Sequence, residues 1–109
     1  MRTSKEFYIK LKNVSIEFYA ESDKDELIAL ISDLQEVERA ITDTCRPGPE
    51  ISEAYFKNIQ EKIENKQGAI FIVKNEDTIL GFISCWIEED DNITETKESN
   101  KYGYISDIY

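Results

Sequence analysis

The sequence predicts an α+β domain in the order β-α-α-β-β-β, a mostly antiparallel sheet with two helices packed on it. Three observations lead there. Val14, Ile16, Phe18 and Ala20 alternate with Ser15, Glu17 and Tyr19, the period of a strand with one covered face. Two later stretches place apolar residues at three- and four-residue steps, the period of an amphipathic helix. Finally "AIFIVK" and "TILGFISCWI" are nearly continuous apolar runs joined by "NED", which reads as a hairpin.

Ahead of the first strand, Phe7, Ile9 and Leu11 alternate in the same way, so a short preliminary strand is expected to turn into it at Lys12 and Asn13. The first helix follows in "SDKDELIALISDLQEVERAI", where Leu27, Leu30, Ile31, Leu34, Val37 and Ile41 share one stripe. Ser22 is placed to cap its first turn, with Asp25 three residues on. Asp23 and Glu26 add negative charge beside the positive end of the helix dipole. "TCRPGPE" interrupts the pattern, since Pro47, Gly48 and Pro49 cannot extend the helix.

A second helix is expected over about residues 50–65, with Ile51, Tyr55, Ile59 and Ile63 on its stripe and Phe56 beside it; Gly68 ends the segment. Residues 69–73 are all apolar, which predicts a central strand covered on both faces. Residues 78–87 supply its partner, in which Gly81 marks a bulge or a close backbone approach. Residues 88–101, "EEDDNITETKESNK", are charged and polar enough to predict a solvated loop. "YGYISDIY" then has the make-up of a last strand around one carboxylate, Asp107.

The 109 residues make one domain, large enough to bury a core without staples. Acidic residues outnumber basic ones 23 to 13, a net charge of −10 that repels phosphate backbones and anionic lipid, so neither nucleic acid nor membrane is an expected partner. A cationic small molecule or a basic protein face would be attracted; a solubilising surface is the plainer reading. The two cysteines, Cys45 and Cys85, have no CxxC spacing and are too few for a disulfide framework, which fits a reduced, cytoplasmic setting. There is no histidine, so Ser-His and Cys-His nucleophile pairs and the commonest zinc ligand are excluded, and no metal site is expected.

The element order, together with "IFIVKNEDTILGFI", "LQEVERAI" and "GYISDIY", resembles the N-terminal half of the GCN5-related N-acetyltransferase (GNAT) superfamily. The resemblance covers nearly the whole chain and implies a partial acyl-CoA N-acyltransferase fold. It also implies transfer of an acetyl group from acetyl-CoA to an amine. In that family the strand resembling "YISDIY" continues into R/Q-x-x-G-x-G/A at the start of a third helix, so the expectation is a polypeptide that stops before the acetyl-CoA pyrophosphate loop and is inactive alone. A pyrophosphate needs clustered backbone N–H donors at a glycine-rich turn. Gly48, Gly68, Gly81 and Gly103 lie far apart, and none opens a helix with a G-x-G spacing. Acetyl-CoA is thus the cofactor the family implies, while binding by this chain alone is not expected.

By the same resemblance Asp107 matches an acidic position on the substrate side of family members that acetylate polyamines. It is the candidate catalytic residue, for amine recognition or, through a water, as general base. The plainer reading is an aspartate satisfied by neighbouring backbone or exposed near a frayed end. Tyr102, Tyr104 and Tyr109 read as aromatic packing, Trp86 and Cys85 as core or hairpin surface, and Arg46 as part of an interhelix loop. The alternative function is a non-catalytic acidic module for dimerisation or protein interaction. With no third helix, one sheet face and the final strand edge lack cover, so the expected partner is a second copy, by packing or strand exchange, or a complementing C-terminal half.

Overall fold

The structure is a computed structural model and describes residues 13–91 and 94–109; the alternation at Phe7, Ile9 and Leu11 lies outside them. β1 (Val14–Phe18) leads through a 3₁₀ turn (Glu21–Asp23) into α1 (Lys24–Ile41), then α2 (Gly48–Asn65), β2 (Ala69–Asn75), β3 (Thr78–Glu89) and β4 (Lys101–Ile108). The four strands form one antiparallel sheet in the order β1-β2-β3-β4. The expected α+β order is therefore present.

Both helices cover the same face. Leu27 and Ile31 of α1 and Phe56 and Ile59 of α2 close over Ile70, Ile72, Ile79, Phe82 and Trp86 to make the core. The alternation explains the choice of side: Ile70 and Ile72 on β2, and Phe82, Ser84 and Trp86 on β3, recur at every second position. Burying an aliphatic or aromatic side chain of this kind contributes about 1.5–3 kcal/mol. α1 buries only its first half this way: Val37 and Ile41, farther along the stripe, are exposed.

The opposite face differs from expectation. β2 was expected to be covered on both sides, and the apolar side of β1 to be its covered one. Pairing of Ile16 with Val73 and Phe18 with Phe71 puts the β1 apolar residues on the face without helices, where Ile16 is 73% and Phe18 71% exposed. Tyr19 is the residue that turns toward the helices, meeting the Phe56 ring edge-on at 5.6 Å. Ala69, Phe71 and Val73 are accordingly only half-buried.

Local devices set the element ends. Ser22 does not cap α1. Instead the Asp23 carboxylate accepts the Ala20 N–H at 3.0 Å and pairs with Lys74 Nζ at 2.8 Å, tying the helix entry to β2. α2 begins at Gly48, two residues before the expected start, and its first N–H donates to Glu36 of α1 at 2.9 Å. A Cβ at Gly48 would run into the backbone carbonyl of Ser32, so the two helices approach there only because the residue is glycine. The β2–β3 hairpin turns at Glu76, whose φ is +56°. The predicted loop is shorter than 88–101: Glu88 and Glu89 belong to β3 and Lys101 to β4. Asp90 and Asn100 join its ends by a backbone hydrogen bond of 2.8 Å.

Candidate functional site

Asp107 sits on β4 opposite Ser84 of β3, immediately after a register shift that leaves Ser106 as an extra residue. Such a bulge re-aims the side chains beside it. The Asp107 carboxylate turns to the helix side, where the Tyr55 hydroxyl of α2 donates between its two oxygens, 2.9 Å from each. Oδ2 also accepts Ser84 Oγ at 3.0 Å and Ser106 Oγ at 2.9 Å. Three hydroxyl protons from three elements thus fix one carboxylate. Neither backbone satisfaction nor a frayed end describes it, and β4 pairing extends to Tyr109, which exchanges backbone hydrogen bonds with Phe82 at 3.0 and 3.1 Å.

The closure at Tyr109 explains Gly81. A Cβ there would strike the Tyr109 carbonyl oxygen, so glycine is required for the strand end to dock. β3 also shifts register beside Gly81, so both predictions for it, a bulge and a close approach, are met.

Burial pushes the Tyr55 hydroxyl up to about 12, opposed by Ser106 and reinforced by the negative charges of Asp107 and Glu38. At neutral pH Tyr55 is therefore a fixed donor. Among the described residues no lysine or arginine forms an ion pair with Asp107. An ionised carboxylate has roughly four acceptor positions, and the three hydroxyl protons leave room for a further charged donor.

The remaining candidates take ordinary places. Trp86 is core; its indole N–H donates to Glu88 at 2.7 Å and its ring lies 5.5 Å from Tyr104. Tyr102 and Tyr109 are exposed. Cys45 and Cys85 are free thiols, Cys85 approaching the Ala69 carbonyl at 3.7 Å. Arg46 is exposed and lies 3.8 Å from Glu50. Among the described residues no group of three or more Cys, Asp or Glu is arranged to hold a metal, and no helix is long and apolar enough to cross a membrane.

Sequence reasoning missed the partners of Asp107. Ser84 is fully buried in the middle of an otherwise apolar register between Phe82 and Trp86, and a hydroxyl there signals a buried acceptor nearby. Tyr55 lies on the apolar stripe of α2, where its ring packs and its tip reaches a polar group.

Three surface grooves, of about 420, 290 and 510 Å³, lie elsewhere and do not include Asp107. The first is lined by Lys66, Glu88 and Lys101, and Lys66 is already paired with Glu88 at 2.8 Å. No protein-family model, curated protein or solved structure matches the chain.

Proposed function

We propose that this chain is the amine-binding half of a GNAT-type N-acetyltransferase, with Asp107 as the anchor for the substrate amine. The observation that carries the reading is a carboxylate held by Tyr55, Ser84 and Ser106 with no cation of its own among the described residues. An ammonium group supplies the missing positive charge, and the acidic surface attracts it from a distance. In acetyl transfer a neutral amine attacks the thioester carbonyl, so the anchored ammonium must first release a proton, which Asp107 accepts through a water. Tyr55 positions Asp107 and keeps its own proton.

Acetyl-CoA is the donor in this reading, but the described residues do not supply a cradle for its pyrophosphate. Gly48 opens α2, yet its N–H is taken by Glu36 and the space a side chain would need is filled by Ser32. Gly68 is pressed against the Cys85 carbonyl, and Gly81 against Tyr109. In this reading acetyl transfer requires a nucleotide site that the described residues do not form, which a complementing C-terminal half would bring.

Calorimetric titration tests this. A polyamine such as spermidine is expected to bind the chain and to lose binding on Asp107→Asn, while acetyl-CoA gives no heat. Absence of amine binding, or acetyl transfer by the chain unaided, would overturn the proposal. The second reading, a non-catalytic interaction module, is favoured by the apolar sheet face that no described helix covers.

A further inference from the structure

We infer that a second copy of this chain packs on the face of the sheet opposite the helices, joining two sheets into a sandwich with the helices outside. The inference does not depend on the acetyltransferase reading. The registers put Ile16 beside Val73, Phe18 beside Phe71, Phe71 beside Ile83, and Ile83 beside Ile108, so one apolar surface runs across all four strands. Cys85 and Ile105 continue it along β3 and β4, and the Phe18 and Phe71 rings meet at a 34° tilt with their centroids 5.1 Å apart.

The extent of this surface is at the upper end for a monomer. Ile16, Phe18, Ile87, Ile105 and Ile108 are 73, 71, 37, 57 and 63% exposed. At roughly 150–200 Å² for a large apolar side chain, these five alone offer about 450–600 Å². The largest apolar patch of a typical monomer is about 300–600 Å², whereas a stable interface takes about 800 Å² from each partner. The half-buried Phe71, Val73, Ile83 and Cys85 between them extend the face toward that size.

Charge selects the occupant. Among the described residues the middle of the face carries no ionisable group except the Cys85 thiol, and the only close ion pair there is Glu89 with Lys101 at one end, 4.0 Å apart. A basic partner would leave its charges unpaired against hydrocarbon, which is costly. A second copy presents the same neutral surface, as a two-fold interface requires. The net charge of −10 does not prevent this. Packed sheets lie about 10 Å apart, and charges on the two outer helical layers are farther apart than the roughly 8 Å screening length of physiological salt. Edge pairing through β1 or β4 would satisfy backbone groups but leave Ile16, Phe18, Ile105 and Ile108 in water. The sheet face therefore carries the contact.

Sedimentation across a concentration series tests the inference, using the chain itself and an Ile16→Lys/Ile105→Lys variant. Both side chains are exposed, so the variant keeps the wild-type circular dichroism. The wild type is expected to be a dimer, and the variant to dissociate at least about 100-fold more readily, because each chain brings two charges into a dry interface. A dimer unaffected by both lysines would overturn the face assignment in favour of edge pairing. A wild-type monomer would overturn the inference altogether. In that case strong binding of an apolar dye would point to a different polypeptide as occupant, and weak binding to cover from within the chain.

Discussion

The two faces of this sheet are built from the same kinds of residue and meet opposite fates. On the helix side Ile72 and Phe82 are 0 and 1% exposed, locked under α1 and α2, while on the other side Ile16 and Phe18, equally apolar, stand largely in solvent. Alternation in a strand states that the two faces differ. Which face is covered depends on where the helices land, and here Tyr19, Ser84 and Trp86 lie on the side beneath them.

The largest test of this contrast is paired truncation. Phe82→Ala should cost about 3–5 kcal/mol, because it leaves a cavity between two helices and a sheet. Ile16→Ala should change stability by no more than about 0.5 kcal/mol when unfolding by urea is followed at concentrations too dilute for association. Equal costs would mean that the faces are not energetically distinct.

The closure of β4 sharpens the comparison at its edge. Gly81→Ala forces a Cβ against the Tyr109 carbonyl and is expected to cost about 1–3 kcal/mol. The loss should appear locally as faster hydrogen exchange at the Phe82 and Tyr109 amides, which now bond across the strands. Unchanged protection there would show that the strand end tolerates displacement.

A smaller effect concerns the cluster on the covered face. The Tyr55 hydroxyl is ordinarily at 10.0 and burial pushes it up to about 12, so in that interval the folded chain keeps a proton that the unfolded chain releases. Its contribution to stability is complete below about pH 10 and disappears as pH rises through about 12. Tyr55→Phe should abolish this alkaline component, visible as the loss of one late phenolate transition in ultraviolet titration. Near neutral pH it should cost about 1 kcal/mol, the typical worth of one hydrogen bond.

The mildest test is acid. Hydrogen bonding to Lys74 lowers Asp23 from its ordinary 3.8, the Gly48 N–H lowers Glu36 from 4.5, and Lys66 lowers Glu88 from 4.5. Their contributions are present above those ordinary values and are lost as pH falls through the lowered ones. Thermal melts should therefore hold level down to about pH 5 and decline below it. Asp23→Asn should flatten part of that decline.

Much of the fold was legible because its signals are local. The stripe of Leu27, Ile31 and Leu34, the hairpin at "NED" and the need for glycine at Gly81 are written in spacing and residue type. The unread features are contacts between distant segments. Asp107 could be singled out, but Tyr55 reaches it from 52 positions away and Ser84 from 23. Glu36, a half-buried carboxylate of α1, gave no sign that it receives the first N–H of α2. The uncovered face was misread at β1 and β2 for the same reason: a run of apolar residues records a preference for dry surroundings, not what provides them.

Trp86 offers a practical consequence. It is the sole tryptophan, 8% exposed, wedged where β3 meets Tyr104 and hydrogen-bonded to the same glutamate that holds Lys66 at the end of α2. Its fluorescence is a built-in gauge of one layer of the molecule: the emission should redden when the helices peel away, and stay constant when something settles on the far side.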